Sequence, residues 1–458
     1  MKTIACLALL AAVAPAAHAD DDLSRILQAL PDDTTSPPPA PAPAGEPGAL
    51  YAELNAERIP PRDGLLVPDP FFARTEQVER AVVDGRGSRT LGAGLRATLS
   101  GRFTVLASDA LPPGERHERL DLREAYLQWL PAAGTFVEAG RVNVRTGVAS
   151  GFNPNDYFRS GSTVDPTTQD PTALRQNRLG AFMLRVQRIA DDGAISLLVA
   201  PRLADDKGLS PSTPPLGLRV AQTNDQTRWL LRDVLRLGDD FSPELVVFKR
   251  PGEWRLGASV TRSIDNSSTV YAEWSAGRDH ALFDQAIADG VANGDLPAAA
   301  LAAAPGDGRR LRHDFATGWA WSNDRRMSLT LEYDLHQSGF SGADWDRWFD
   351  LGRSGPQGAQ LAWYVRGYAN FNQDPLARQS LFVRAQWDQA GLRDLYLSGF
   401  VNLNLEDGSR LAQLGAEYRA GSANRFRVAG VVLSGRARSE FGSAQNRFDL
   451  VAACTHYF

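Results

Sequence analysis

From Thr90 to the last residue, apolar side chains recur at every second position, and this alternation restricts the chain to strands with two chemically different faces. Leu91, Ala93, Leu95, Ala97, Leu99, Phe103 and Val105 alternate with Arg96, Thr98, Ser100, Arg102 and Thr104. The pattern returns at 120–130, 135–148, 178–189, 194–203, 227–237, 244–249, 254–264 and 268–278. It continues at 312–322, 327–338, 379–389, 395–404, 409–419, 425–436 and 447–458. These segments predict about 16 strands (14–18), and most reach the roughly 9–11 residues that a tilted strand needs to cross a bilayer. Some carry a fully apolar row, such as Trp254, Leu256, Ala258 and Val260, or Leu395, Leu397, Val401 and Leu403.

The connections sort by length. Pro131-Ala132-Ala133-Gly134, Asp191-Asp192-Gly193, Asp265-Asn266-Ser267, Asn323-Asp324-Arg325 and Gly421-Ser422-Ala423 are short and built from turn formers. When both termini are placed in the periplasm, these turns fall inside. Most long connections, 149–177, 204–226, 279–311 and 339–378, then fall outside. Short turns on one side and long loops on the other are the asymmetry of bacterial barrels. Backbone groups in hydrocarbon must pair with one another, so the β solution that spans a membrane is a closed barrel. The expected fold is therefore all-β: a transmembrane antiparallel up-and-down barrel with short periplasmic turns and long extracellular loops. Two places leave the strand count open. Residues 250–253 would be a short outer turn, and 360–369 also alternates and reads either as loop or as a further strand.

The N-terminal part differs. Lys2, an apolar run at 4–13 and Ala17-His18-Ala19 form a signal peptide over 1–19, too short for a spanning helix of about 20 residues. Residues 20–74 are expected to be a periplasmic segment: a short helix at 23–30, a Pro-rich linker at 36–43 and a second short helix at 50–59. This segment reads either as a plain tail or, over 20–59, as the binding site for a periplasmic partner or a small plug. The barrel would occupy 75–458. A formal charge of −5 argues against nucleic-acid binding. Cys454 is the single cysteine after the signal peptide, so no disulfide can form within the mature chain. Nearly all positive charge is arginine.

The final strand carries Phe448, Leu450, Ala452 and Cys454 on one face and ends on Phe458, with His456 interrupting the row. This resembles the C-terminal signature of Gram-negative outer-membrane β-barrels. The resemblance implies that Phe458 is an assembly signal, that the β-barrel assembly machinery is a partner, and that outer-membrane lipid surrounds the wall.

With the apolar rows facing lipid, the opposite rows carry Arg96, Arg102, Arg141, Asn143, Arg145, Arg185, Arg255, Glu332, Asp334 and Arg384. These are the expected pore-lining residues of a wide, wet interior. Two readings of the arginines remain open: rings that favour anionic solutes, or ion pairs that hold the wall in shape. Residues 138–158 lead from Arg141, Asn143 and Arg145 through a Gly-rich bend to Gly151, Phe152, Asn153, Pro154, Asn155, Asp156 and Tyr157, a loop able to fold into the mouth and constrict it. The stretch loosely resembles the strand-and-loop of porin-like and alginate-export-like barrels, which implies passage of a solute. His336-x-Ser338 is similar to part of an outer-membrane phospholipase motif, but Gly339 stands where that motif has Asn, and the alternation aims His336 into the lumen. No metal-ligand cluster and no cofactor motif appear. The function expected is a channel for small hydrophilic, anionic solutes through an Arg-lined lumen. The alternative is a non-transport barrel with an assembly, secretion or adhesion role.

Overall fold

The structure, a computed structural model, describes residues 49–66, 75–108, 117–164, 167–205, 208–209, 217–237, 241–304, 306 and 308–458. The expected signal peptide, the helix at 23–30 and the Pro-rich linker lie outside these residues. An 18-stranded antiparallel sheet closes on itself, each strand pairing with its neighbours in sequence and the first with the last. In chain order the strands are β1 (Ala49–Arg58), β2 (Gln77–Gly92), β3 (Leu95–Ser108), β4 (Glu118–Ala132), β5 (Thr135–Val142) and β6 (Ala181–Ala190). There follow β7 (Gly193–Ala200), β8 (Arg228–Leu235), β9 (Glu244–Arg250), β10 (Glu253–Ser263), β11 (Ser268–Asp279) and β12 (Arg310–Ser322). The last are β13 (Met327–His336), β14 (Gln379–Asp388), β15 (Leu395–Asn404), β16 (Arg410–Ala420), β17 (Asn424–Ser434) and β18 (Phe448–Tyr457).

The sixteen segments read from the alternation correspond to β3 through β18. The two further strands lie at the N-terminal end. Residues 50–59, expected to be helical and periplasmic, instead form β1, so the barrel wall starts at Ala49. Leu50, Leu54 and Ala56 alternate with Tyr51, Asn55 and Glu57, a period that suits a strand held between β2 and β18. The run at 90–105 is not one strand. Gly92, Ala93 and Gly94 all take positive φ (101°, 50° and 72°), which turns the chain from β2 into β3. Residues 360–369 lie in a helix and add no strand.

One rim carries short turns and the C-terminus; the other carries the long connections, with Pro251-Gly252 as a short exception. Along the outer wall, Leu54, Leu99, Leu184, Trp229, Leu245, Leu256, Leu414 and Val428 are exposed. A continuous apolar band of this kind is unstable against water and matches hydrocarbon. Among the described residues no helix is long and apolar enough to cross a membrane.

Helices sit at the loop rim. The stretch 281–304 forms α3 (Leu282–Ala292) and a 3-10 turn at Ala298–Ala303; α1 (Pro171–Gln176) and α2 (Val220–Thr223) are short pieces of other loops. The aromatic and acidic stretch 344–350 lies in α4 (Gly342–Arg353), started by a capping box between Ser341 and Asp344. It packs against α5 (Pro356–Asn372). Trp345, Trp348, Phe349, Trp363 and Tyr364 form a core with Phe283, Ile287 and Phe340, and the Trp348 indole N–H donates to the carbonyl of Ala362 at 2.7 Å. These aromatics pack loop against loop and are not available to stack on a solute. Trp348→Ala should cost about 3–5 kcal/mol, confined to this cap. Limited proteolysis should then cut within 282–372 while the barrel stays intact.

Candidate functional site

Between β5 and β6 the described residues 143–164 and 167–180 fold inward across the lumen. Two glutamates on far strands hold them there. Glu273 on β11 shares its row with Tyr271 and Ser275, opposite the outward Val270, Ala272 and Trp274, so its carboxylate points inside. It accepts the backbone N–H groups of Val148 (2.7 Å), Ala149 (3.1 Å) and Asn155 (2.5 Å). Glu332 on β13 accepts those of Ser150 (2.7 Å), Gly151 (2.7 Å) and Phe152 (3.2 Å), plus the hydroxyl of Tyr271 (2.5 Å). Successive N–H groups around a carboxylate make an anion nest, and each charge-assisted bond contributes about 1.5–3 kcal/mol. The Gly-rich composition has a direct cause here. A Cβ on Gly151 would lie 2.8 Å from Cγ of Phe382 on β14, too close for any side chain.

Further contacts extend the span. Tyr157 stacks on Phe248 at 4.5 Å and shares a hydrogen bond with Ser275 at 2.9 Å. The Asn155 amide donates to the carbonyl of Ala258 at 3.2 Å. Arg384 on β14 donates to Asp170 at 2.9 Å, just before α1, and Gln169 N–H donates to Gln413 on β16 at 2.9 Å. Within the loop, Arg178 and Asp156 are buried and form a bidentate pair at 2.7 and 2.9 Å. Burial alone would push the Asp156 carboxyl up, but Arg178, then Arg175 and Arg159, outweigh it and hold the group below its usual range.

The loop also covers an apolar patch inside the barrel. Val142, Val144 and Phe158 pack on Ala181, Met183, Leu198, Ala200, Leu230, Val246 and Phe248. This reverses the expected facing at 141–145. The apolar row points inward because the lumen there is filled by protein rather than water. Arg141 is therefore not a pore-lining residue. It is fully buried, lies opposite Ala125 and Phe182, and donates to the carbonyls of Gly180 (2.8 Å) and Leu218. Asn143 is occupied within the loop, donating to the carbonyl of Arg175 at 3.2 Å and accepting from Arg178 at 2.9 Å.

The other expected lumen residues, Arg145 in the loop apart, face inward on the strands, and most are paired. Arg102 meets Asp84 at 2.9 Å, Arg185 meets Glu138 at 3.5 Å, and Arg255 meets Asp314 at 2.6 Å and Asp279 at 3.2 Å. Asp334 accepts from Ser380 at 3.3 Å. Of the two readings of the arginines, wall pairing describes these positions. Arg96 on β3 and Arg145 in the loop are half-buried, and among the described residues neither has an ion-pair partner. Glu273 was not singled out in the sequence, although its place opposite the apolar row Val270, Ala272 and Trp274 marked it. The apolar inner patch had a signal too: Leu198 and Ala200 alternate with Ile195, Leu197 and Val199, apolar on both faces, as in strands covered on both sides.

A closed barrel with an apolar outer row, unequal rims and an inward-folded loop after β5 has the architecture of porin-like outer-membrane barrels. Solved structures agree in fold. OccK5 (OpdH) and OccK8 (OprE) of Pseudomonas aeruginosa are each 10% identical to this chain with a TM-score of 0.51; the matches cover 90% of it and 98% and 97% of theirs. No family model and no curated protein matches the sequence.

Proposed function

We propose that the protein is an outer-membrane channel through which small hydrophilic solutes diffuse, with the loop rim outside and the crossing loop as its narrowest point. The observation that supports this reading is the pinning of 148–155 to Glu273 and Glu332 inside the closed barrel. Preference for anions is the finer part of the proposal. Arg102, Arg185, Arg255 and Arg384 are balanced by carboxylates, so the preference comes from Arg96 and Arg145 alone and is weak. Export by the signal peptide, and recognition of the final strand with Phe458 by the assembly machinery, belong to the same reading.

Planar-bilayer recording tests it. The full mature chain should give ohmic current with a small reversal-potential shift toward anions in a salt gradient, and Arg96→Gln with Arg145→Gln should remove that shift. A silent barrel would overturn the channel; cation preference in the unmodified chain would overturn the anion assignment.

A further inference from the structure

A cavity of about 360 Å³ lies under α3 and α5, against the β9–β10 turn. A smaller one of about 110 Å³ leads from it toward Tyr157 and His336. Arg250, Glu253, Asp279, Gln285 and Tyr368 line both. The space therefore sits between the helical cap and the crossing loop, and its size suits a small ligand.

Most of its strong charges are already matched; among the described residues Arg228 meets only the carbonyl of Thr223 and the ring of Phe158. Arg255 donates to Asp314 at 2.6 Å, Arg159 to Asp374 at 2.6 Å, and Arg250 to Glu253. An ionic solute entering here must compete with a partner in place. A neutral one need not, and it still finds hydrogen bonds. A guanidinium has five donors and a carboxylate about four lone-pair sites, so one pairing exhausts neither. A hydroxyl both accepts and donates, and a vicinal diol can bridge such a pair.

Two atoms of the smaller cavity's lining lack a hydrogen-bond partner among the described residues: Nε2 of His336 and Nε of Arg228. Their residues are only 6% and 4% exposed, so leaving these atoms unmatched is costly. Nδ1 of His336 lies 2.8 Å from Asp314, so Nε2 is the ring's remaining polar atom for a hydroxyl, which can donate or accept. Arg228 offers the complementary N–H. Tyr157 adds an aromatic surface to the same wall.

We propose that this cavity is a binding site for a neutral polyhydroxylated solute of mono- or disaccharide size, bound before it passes the crossing loop; the passage, though not the binding, rests on the channel reading above. The test pairs equilibrium dialysis of the purified full chain in detergent against labelled sucrose with bilayer recording in sucrose. Uptake should saturate, and ion current should fall over the same concentrations. His336→Ala and Arg228→Gln should each raise the half-saturating concentration about tenfold. Gln285→Arg, on the cap helix and away from the barrel wall, should abolish uptake, so a folding defect in the wall variants does not blunt the test. Ion current without saturable sucrose uptake would overturn the site and leave the channel standing. Saturable uptake by a silent barrel would keep the site and overturn the channel. Saturable binding of glutamate or lysine in place of sucrose would overturn the neutral-solute assignment.

Discussion

Replacing Glu273 and Glu332 together by glutamine should raise single-channel conductance about two- to fivefold, because six backbone N–H groups of the crossing loop lose their carboxylates. Glutamine keeps the volume, but it offers one oxygen and turns an NH2 group toward backbone donors. The loss amounts to several kcal/mol, comparable to what holds a surface loop in one conformation. The strands keep their ladders, so the variant should retain heat-modifiable migration in gels. Amide exchange at 148–155 should rise alongside the conductance. Unchanged conductance in a correctly assembled variant would show that the loop is held by other contacts, with Arg384–Asp170 the first to examine.

Arg178→Ala is the second large effect. Arg178 and Asp156 have side chains only 1% exposed, and removing one partner of a buried pair costs about 3–5 kcal/mol. The pH dependence changes as well. In the unmodified protein Asp156 titrates below its unfolded value of about 3.9. Its contribution is therefore fully present above about pH 4 and is lost as pH falls through the lower, folded value. Without Arg178, burial dominates and pushes the carboxyl up, and only Arg175 at 3.6 Å remains in contact. The loop should then be weakest at neutral pH and recover as Asp156 takes up a proton in acid. Thermal unfolding and amide exchange of 143–160, measured between pH 3 and 8, check this. A loop that loosens monotonically toward acid in the variant would contradict it.

The barrel was legible because lipid imposes one rule on every strand. Rows such as Trp254, Leu256 and Ala258 have no other place to go, and sixteen strands followed from that alone. The first two were harder. β1 is rich in Ala and Glu, composition that also suits a helix; only pairing with β2 and β18 selects the strand. β2 carries Gly85, Gly87 and Ala81 on its outer row, which weakens the alternation. In the lumen, the sequence named the constriction stretch and Glu332 as separate features. It could not join them, because they are 180 residues apart in the chain and meet through backbone N–H groups that any residue except proline supplies. Arg141 failed for a related reason. Period two fixes which residues share a face, but not whether that face meets water, lipid or a folded loop.

The seam of the wall has a consequence for biogenesis. Tyr51 lies beside Tyr457 and Arg58 beside Leu450, while the other seventeen ladders join strands adjacent in the chain. Every hairpin can zip up locally, but the ring cannot be completed until β18 is available to β1. Until then two raw edges would face hydrocarbon with unmet amides. Insertion is thereby tied to the presence of the last strand. A chain shortened at either end of the seam should stall as an open, protease-sensitive ribbon rather than settle as a smaller ring.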